Sequence, residues 1–377
     1  MIPAAAPDNQ AAVLVSLDIG NTIPEDAAEE LVRLAGSAGI RRHAEVRGRR
    51  PRPDPKFYAG SGKVEEIGRA VAALNAGWVI FNHDLSPAQE RNVEAELQCR
   101  VLDRTGLILE IFSQRAQTSV GKLQVELAQL ERASTRLVRG WTHLERQRGG
   151  LGKTGGPGEK QIELDRRYIA KRVRVLRDRL DTLRRQRTVQ RRARARGDVL
   201  SVSLVGYTNA GKSTLFNALT RAGAYEADQL FATLDTTTRR VWLPEAGNAV
   251  ISDTVGFIRD LPHGLVAAFR ATLEETVRAD LLLHVVDSAS PVREQQAAEV
   301  DKVLSEIGAG GIPQLLVWNK ADVSGLEPGV ERDEYGRIRR VFMSARTGAG
   351  LAELRGAIAG AAKARPIRTP SPELISL

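Results

Sequence analysis

Cysteine and long apolar runs are the two features that this sequence most clearly lacks. The single cysteine, Cys99, has no partner for an internal disulfide, a pattern typical of proteins in a reducing compartment. The apolar runs are short, as at residues 281–283, with Val285 and Val286 following after His284. A membrane span needs about 18 apolar residues, so none is predicted. With five scattered histidines and no second cysteine, a dedicated zinc site is not expected.

A secretory signal is also missing, because the N-terminal sequence MIPAAAPDNQ has no basic segment followed by an apolar core. We therefore expect a cytoplasmic protein. The chain has 377 residues, of which 42% are hydrophobic and 27% charged, values typical of a folded protein with two or three domains. No pattern of self-association stands out, so a monomer is expected.

Acidic residues are scarce in one part of the chain, and that part is strongly basic. Residues 131–198 contain 21 lysines and arginines against 8 aspartates and glutamates, a net charge of +13, whereas the whole chain carries +9. A local excess of this size favours a nucleic-acid partner. The alternatives are a solvated helical face, an acidic protein or a lipid surface as partner.

The apolar patterns predict an α/β protein with three folded regions. Strands alternate with helices over residues 11–110, which indicates a small parallel α/β domain. Residues 111–197 are predicted to form a long antiparallel helical hairpin, and a second α/β pattern covers residues 198–363. Residues 1–10 are expected to be disordered and residues 364–377 to form a tail.

The hairpin is predicted from two stretches whose apolar residues recur at heptad-like intervals. A glycine-rich loop, GGLGKTGGPGEK, joins the two stretches and would lie at the tip of the hairpin. The arginine run over residues 184–196 is interpreted as a linker. The apolar residues are Val120, Leu123, Leu127, Leu130 and Leu137 in the first stretch, and Ile162, Ile169, Val173, Leu176, Leu180 and Leu183 in the second.

A phosphate-binding loop is predicted where an apolar strand pattern gives way to a helix pattern. Gly206 is followed, after four residues, by Gly211-Lys212-Ser213, which is the P-loop spacing. Backbone N–H groups would face the phosphates, Lys212 would reach the β- and γ-phosphate oxygens, and Ser213 would ligate Mg²⁺. The predicted nucleotide contacts here are Gly206, Tyr207, Thr208, Asn209, Ala210, Gly211, Lys212, Ser213 and Thr214.

Four further motifs follow in the order expected of a GTP-binding domain. Thr233 is the candidate for closing on Mg²⁺ and the γ-phosphate, Asp253 could hold a Mg²⁺-bound water, and the Gly256 N–H could bind the γ-phosphate. The Asp322 carboxylate can accept from N1–H and N2–H₂ of guanine, while Lys320 packs along the ring. The remaining predicted contacts are Phe231, Ala232, Leu234, Asp235, Thr254, Val255 and Asn319, with Ser344, Ala345 and Arg346 near guanine O6.

Two positions affect how such a site is expected to hydrolyse GTP. Many GTPases have a glutamine that orients the attacking water, but this chain has Phe257 there, so slow intrinsic hydrolysis completed by a partner is expected. Asn209 has two interpretations: it helps to hold a K⁺ ion near the phosphates, or it stabilises the loop. The groups predicted to act in hydrolysis are Lys212, Thr233, Gly256 and Asn209, with Mg²⁺ and, under the first interpretation, K⁺.

Several longer segments resemble the HflX family of GTPases, which is related to the Obg group. They are DRTGLILEIFSQRA, KLQVELAQL, GGPGEKQIELDRR, GYTNAGKSTLFNALT, LFATLDTTTR and DTVGFIRDLPHGLVAAFRATLEE, and the resemblance covers nearly the whole chain. It implies a P-loop GTPase domain that binds GTP and GDP, and partners in the large ribosomal subunit and the 70S ribosome, which stimulate hydrolysis. It also implies separation of the subunits of stalled or idle ribosomes under stress, in the cytoplasm, on ribosomes or peripherally at a membrane.

The resemblance places the hairpin tip next to ribosomal RNA. Here the loop departs from the family's usual sequence at residues 153–156 and at Lys160, but it stays basic. Its LGKT is not a P-loop, because Gln147 stands where the first glycine would be and the preceding segment is helical. The predicted RNA contacts are Arg148, Lys153, Lys160, Arg166 and Arg167.

Other functions stay open at this point. The family's N-terminal region is credited with ATP binding, but AGSGK at residues 59–63 is followed by Val64 instead of serine or threonine, so no well-formed ATP site is expected. The alternatives are a ribosome-assembly checkpoint GTPase, an RNA-remodelling ATPase that uses the N-terminal domain, and a non-enzymatic ribosome-binding inhibitor.

Overall fold

The computed structural model divides the chain into two units, which are described separately. The structure describes residues 8–20, 25–139, 157–195, 199–220, 230–244, 247–259, 261 and 273–363. The N-terminal unit comprises Met1–Gln190, Ala227–Asp235 and Asp260–Thr272, and the C-terminal unit comprises Arg191–Glu226, Thr236–Arg259 and Leu273–Leu377. The segment Ala227–Asp235 therefore groups with the N-terminal unit, although it lies within the GTPase region predicted from the sequence.

The N-terminal unit contains the predicted parallel α/β fold. Its four strands pair in the order β2-β1-β3-β4, and all three pairings are parallel. The central strand is buried along residues 11–17 because it has apolar side chains on both faces. The strands are β1 (Asp8–Ile19), β2 (Arg42–Arg50), β3 (Ala76–Phe81) and β4 (Arg100–Leu102), and the helices are α1 (Glu25–Ser37), α2 (Ser61–Leu74) and α3 (Pro87–Leu97).

A buried carboxylate ties the next two helices, α4 (Arg104–Arg115) and α5 (Ser119–Arg139), together. Asp103 caps α4 by accepting from the Gly106 N–H at 2.7 Å. Two arginines of α5, Arg132 and Arg136, also bind this carboxylate. Burial raises the pKa of Asp103, and Arg132 opposes that rise. Helix α4 runs across the domain boundary predicted at residue 110.

Two basic side chains bond to backbone carbonyl oxygens around the AGSGK segment, where α2 begins. Arg50 donates to the Ala59 carbonyl oxygen at 2.8 Å, and Lys63 donates to the Arg47 carbonyl oxygen at 2.9 Å and to Glu66 at 2.7 Å. The lysine of AGSGK is thus already engaged within the N-terminal unit.

The two predicted apolar seams meet between α5 and α6 (Pro157–Ala195). Leu127, Leu176 and Leu180 are buried together. Glu126 pairs with Arg172 at 2.7 Å, and Glu131 pairs with Arg177 at 2.8 Å, beside the seam. Val120, Leu123, Leu130 and Val173 pack against the buried residues. The heptad spacing therefore predicted the packing of these helices correctly.

The prediction of a linker over residues 184–196 is wrong for most of its length. Helix α6 continues to Ala195, because arginine, glutamine and alanine favour helices and the first glycine comes only at Gly197. The loop tip, with Arg148 and Lys153, lies outside the described residues.

The C-terminal unit contains the second predicted α/β fold. Among the described residues, seven strands pair in the order β10-β11-β9-β8-β5-β7-β6, with antiparallel pairs only at the two edges. The central strands β5 and β8 are almost fully buried. The strands are β5 (Leu200–Gly206), β6 (Thr237–Leu243), β7 (Gly247–Asp253), β8 (Leu281–Asp287), β9 (Gln314–Asn319), β10 (Gly329–Arg332) and β11 (Ile338–Phe342).

The motifs of this unit cluster at one edge of the sheet. Gly206, Asp253, Asp287 and Asn319 each end a parallel strand, and the carboxyl ends of parallel strands form the usual ligand-binding edge of such sheets. The helices of this unit are α7 (Lys212–Thr220), α8 (Glu274–Val277), α9 (Arg293–Glu306), α10 (Ala321–Ser324) and α11 (Leu351–Lys363).

Candidate functional site

The P-loop connects β5 to α7, as the spacing predicted. Gly206 has a φ of 151°, and a Cβ at this position would collide with the carbonyl oxygen of Val285 on β8. Only glycine therefore allows β5 to turn so close to its neighbour. Asn209 has a φ of 62°, a left-handed conformation that asparagine tolerates better than most residues.

The P-loop is also bonded to the segment that follows β7. The Thr208 N–H donates to the Phe257 carbonyl oxygen at 2.7 Å, and the Phe257 N–H donates to the Gly206 carbonyl oxygen at 3.1 Å. The Phe257 side chain is fully buried. Phe257 thus joins two phosphate-facing segments through its backbone, while its side chain packs in the core.

Lys212 lies inside the loop and is only 6% exposed. Its ammonium group donates to the carbonyl oxygens of Gly206, at 3.1 Å, and Tyr207, at 2.7 Å. Burial lowers the pKa of Lys212 to about 8, and the Asp253 carboxylate partly opposes that shift. A Cβ on Gly256 would lie 2.9 Å from the Lys212 Nζ. Lys212 and Gly256 are therefore adjacent, an arrangement compatible with the prediction that both bind the γ-phosphate.

Ser213 and Asp253 form the oxygen pair expected at a magnesium site. The Ser213 hydroxyl donates to Asp253 Oδ2 at 2.7 Å. Mg²⁺ prefers oxygen ligands and is usually held by one or two protein groups together with substrate phosphates. Within the described residues there is no cluster of three or more His, Cys, Asp or Glu that could hold a metal alone. This donor set fits a Mg²⁺ ion that arrives with a nucleotide.

Asn319 holds the base-binding side of the site. Its side chain donates to the Ala210 carbonyl oxygen of the P-loop at 2.9 Å and accepts from the Ala345 N–H at 2.8 Å. Asn319 is buried, whereas Asp322 is exposed. Lys320 pairs with Asp287 at 2.7 Å. Asp322, whose exposed side chain can reach a guanine base, therefore lies close in sequence to Asn319 and Lys320, whose side chains are fixed by protein contacts.

Five of the predicted nucleotide contacts lie in the N-terminal unit. Phe231, Ala232, Thr233, Leu234 and Asp235 belong to the N-terminal unit. The Asp235 carboxylate accepts hydrogen bonds from the first residues before α5, and Phe231 is buried against Phe112 of α4. The other predicted nucleotide contacts, from Gly206 to Thr214, from Asp253 to Gly256, from Asn319 to Asp322 and from Ser344 to Arg346, all lie in the C-terminal unit.

The sequence reasoning missed two contributors to this site. Asp287 was not considered, although it ends β8 at the same edge of the sheet as Asp253 and Asn319, and this strand-end position was the available signal. Tyr207 was included only as a loop residue, but its hydroxyl accepts from the Arg259 N–H at 2.8 Å and so helps to hold the segment after Phe257. No sequence pattern indicates that second contact.

The predicted RNA contacts are described only in part. Lys160 lies in the first turns of α6. Arg166 and Arg167 are exposed, and Arg167 pairs with Glu163 at 2.6 Å. Among the helices that the structure describes, none combines the length and apolar character required to cross a bilayer.

Comparisons with known proteins identify the family. The chain matches the profiles described as GTP-binding GTPase N-terminal, over residues 25–113, GTP-binding GTPase middle region, over residues 115–194, and 50S ribosome-binding GTPase, over residues 201–320. It is 54% identical to the GTPase HflX of Escherichia coli K12 over 344 residues, which cover 91% of this chain and 80% of that protein. It is 51% identical to the GTPase HflX of Magnetococcus marinus over 335 residues, 88% of this chain and 77% of that protein.

A solved structure supports the fold assignment. The crystal structure of an SsGBP–GDP complex aligns with a TM-score of 0.52 at 24% identity, over 94% of this chain and 99% of that one. At this identity the likeness concerns the fold. The family assignment follows from the sequence relatives, which match over both the N-terminal region and the P-loop domain. The chain therefore belongs to the HflX family of GTPases.

Proposed function

We propose that this protein binds GTP with Mg²⁺ in the C-terminal unit, hydrolyses it when bound to the large ribosomal subunit, and thereby separates the subunits of stalled or idle ribosomes. The observation that carries the nucleotide part is the Asn319 side chain, which bonds both the P-loop and the loop at Ala345. A single buried amide thus fixes the phosphate-binding loop relative to the loop expected to read guanine. Such preorganisation is what tight nucleotide binding requires.

The chemistry needs few groups, because phosphoryl transfer depends mainly on positioning and charge stabilisation. Lys212 would exchange its two carbonyl partners for β- and γ-phosphate oxygens, and the Gly256 N–H beside it would bind the γ-phosphate. The Thr208 hydroxyl is buried and, within the described residues, has no hydrogen-bond partner, so a phosphate oxygen could satisfy it. Ser213 and Asp253 would hold Mg²⁺, which when bound neutralises charge on the phosphate oxygens.

Guanine recognition would fall to Asp322 and its neighbours. Asp322 is exposed at the end of the NKAD motif, so its carboxylate can accept from N1–H and N2–H₂ of guanine. Lys320 is held by Asp287 at 2.7 Å, which fixes its aliphatic stem for packing along the ring. Backbone N–H groups of Ser344, Ala345 and Arg346 are the candidates for binding O6.

The need for a partner follows from Phe257. Its side chain is fully buried and apolar, so it cannot orient the attacking water as a glutamine would. We infer that the large ribosomal subunit supplies or completes this part of the site. The 50S ribosome-binding GTPase profile over residues 201–320 and the exposed arginines of α6 support that choice of partner.

The test is GTP turnover measured alone and with 30S, 50S and 70S particles. We expect slow turnover by the protein alone and an increase of about 10³-fold or more with 50S and 70S particles, as for GTPases completed by a partner. Equal turnover with and without 50S particles would refute the proposed partner. Running the same assay in Na⁺ and in K⁺ tests the K⁺ interpretation of Asn209, which stays a prediction.

Subunit separation needs its own measurement. Sedimentation of 70S ribosomes mixed with the protein and a non-hydrolysable GTP analogue should show free 30S and 50S particles, whereas GDP should leave 70S particles intact. If the 70S peak persists while 50S particles still stimulate turnover, the protein is better explained as a checkpoint in subunit assembly. Turnover of ATP that survives Lys212→Ala would instead favour an activity of the N-terminal unit.

A further inference from the structure

The described segment Leu230–Asp235 carries Thr233 and is bonded to the N-terminal unit at both of its ends. At one end, the Asp235 carboxylate binds the chain just before α5: Oδ2 accepts from the N–H groups of Gln117 and Thr118, each at 2.9 Å. Oδ1 accepts from the Thr118 hydroxyl at 2.5 Å. One carboxylate therefore receives three hydrogen bonds from two consecutive residues.

Thr118 itself caps the N-terminus of α5, which begins at Ser119. Its hydroxyl oxygen accepts from the Gly121 N–H at 3.0 Å, and its carbonyl oxygen accepts from the Lys122 N–H at 3.0 Å. A negative charge beside the first turn of a helix is stabilised by the helix dipole and by the unpaired N–H groups there. Asp235 thus acts as a second cap of α5, supplied from a distant part of the chain.

The other end of the segment is held by burial. Phe231 is 2% exposed, and its ring meets the Phe112 ring edge-on with centroids 4.7 Å apart. Its φ of 55° is unusual for a bulky side chain. The Leu230 N–H donates to the Ser37 hydroxyl at 2.9 Å. A strained backbone that persists around a buried ring indicates that the surroundings fix this conformation.

Helix α5 leaves room for the carboxylate at Gly121. A Cβ on Gly121 would collide with Asp235 Oδ1 and would lie 3.2 Å from the Thr118 hydroxyl oxygen. Any larger residue at Gly121 must therefore displace the Asp235 carboxylate. The contact can accordingly be broken from either partner.

We propose that Asp235 is a positioning residue for GTP hydrolysis, because it ties the segment that carries Thr233 to the start of α5. This inference rests on the proposed function and on the prediction from the sequence that Thr233 closes on Mg²⁺ and the γ-phosphate. Thr233 lies two residues from Asp235, so a movement of Thr233 between the GDP and GTP states changes the geometry of the bonds to Gln117 and Thr118. By linkage, a partner that shifts α5 must equally change the preference of Thr233 for one nucleotide state.

The first experiment follows hydrogen exchange at the Gln117 and Thr118 amides with GDP and with a non-hydrolysable GTP analogue. In the wild-type protein we expect a difference of about fivefold or more between the two nucleotides, the lower range of typical coupling. In Asp235→Ala these amides lose their acceptor, and the difference between nucleotides should vanish. Equal exchange with both nucleotides in the wild type would overturn the proposal.

The second experiment separates positioning from binding. In Asp235→Ala, the maximal rate of GTP hydrolysis in the presence of saturating large subunits should fall about tenfold, while the Kd for GDP should stay within about twofold of the wild-type value. GDP lacks the γ-phosphate to which Thr233 responds, so its affinity reports whether the site is intact. An unchanged maximal rate, or an equal loss of GDP affinity, would contradict a positioning role.

Two further variants keep the result interpretable. Gly121→Ala breaks the same contact from α5, and its effect should not add to that of Asp235→Ala in the double variant if both act through one contact. Asp54→Ala is the matched control, since Asp54 accepts from the Lys56 and Phe57 N–H groups at 2.9 and 2.8 Å in the same unit. Equal losses in the maximal rate for Asp54→Ala and Asp235→Ala would show a general structural effect and overturn the proposal.

The outcomes also distinguish this inference from the proposed function. If the wild-type protein binds GDP and the GTP analogue but 50S particles do not stimulate it, the proposed partner fails while the exchange experiment still decides the role of Asp235. If 50S particles stimulate hydrolysis normally in Asp235→Ala, the proposed function stands and the positioning role fails.

Discussion

The Asn319 side chain donates to the Ala210 carbonyl oxygen at 2.9 Å and so joins strand β9 to the P-loop. The same amide accepts from the Ala345 N–H at 2.8 Å. Both backbone partners are buried, so water cannot replace the amide. The phosphate-binding and base-binding parts of the site are therefore fixed to each other before any nucleotide is present.

Removal of this amide should weaken binding of every guanine nucleotide. Asn319→Ala leaves a buried carbonyl oxygen and a buried N–H without their partner, each at a cost of about 1–3 kcal/mol. We expect the Kd values for GDP and GTP to rise at least about tenfold, as measured by fluorescence titration. Asn92→Ala removes a similar but exposed contact to the Lys56 carbonyl oxygen and should change neither Kd. Wild-type affinity in Asn319→Ala would contradict the structural role.

The exposed carboxylate of Asp322 should decide which base is bound. In Asp322→Asn the amide offers a donor where the carboxylate accepted, so guanine loses a charged contact and a base with a 2-oxo, 6-oxo pattern gains one. We expect GTP affinity to fall roughly tenfold to a hundredfold and that of the xanthine nucleotide to rise in a competition assay. Asp333→Asn, in an exposed turn of the same unit, is the control. Persistent preference for guanine would refute the assignment.

Nucleotide binding should take up a proton in mildly alkaline solution. Burial lowers the pKa of Lys212 to about 8, so above that pH the amine is mostly neutral in the free protein. Phosphate oxygens favour the charged form and raise the pKa of Lys212 on binding. Below pH 7 the amine is already protonated, so no uptake is expected there.

Calorimetry in two buffers of different ionisation enthalpy measures this linkage. At pH 8.5 we expect uptake of more than about half a proton for each GDP bound, and close to none at pH 6.5. Lys212→Arg keeps the charge at all these pH values, so any binding it retains should occur without uptake. Proton uptake of the same size in that variant would assign the titration to another group.

Phe257 should prove to be a residue of the core rather than a weak substitute for glutamine. Phe257→Gln buries an amide in an apolar site, which should lower the free energy of unfolding by about 2–4 kcal/mol without raising turnover in the absence of ribosomes. Thermal unfolding and basal GTP turnover measure the two effects. Trp242→Gln, at a side chain that is 68% exposed, should leave stability nearly unchanged. A faster basal reaction in Phe257→Gln would show that the position orients water after all.

The parts of the structure that were predictable depend on local pattern. The P-loop at Gly206–Ser213 needs only a strand, a fixed spacing and a helix, and neighbouring residues determine all three. The seam between α5 and α6 follows from heptad spacing, so Leu127, Leu176 and Leu180 were found without any knowledge of the fold. In both cases the geometry of one element dictates which residues face the same way.

The parts that were not predictable depend on distant partners. The hydrogen bonds that the Asp235 carboxylate accepts from Gln117 and Thr118 were not predicted, because no local pattern links these positions. Likewise, the sequence showed that Phe257 stands in place of the water-orienting glutamine. It did not show that the Phe257 backbone bonds to Gly206 and Thr208. Long-range pairings of this kind are set by how elements pack, which one sequence does not reveal.

Helix α6 is unbroken over its whole length. Its 39 residues correspond to a rod about 58 Å long at 1.5 Å per residue, which begins at Pro157, within the glycine-rich segment, and ends five residues before Leu200 of β5. Because no proline or glycine interrupts it after residue 158, a tilt of about 5° at one end moves the other by about 5 Å. A stiff rod of this length turns a small rotation at one end into a displacement of several ångströms at the other.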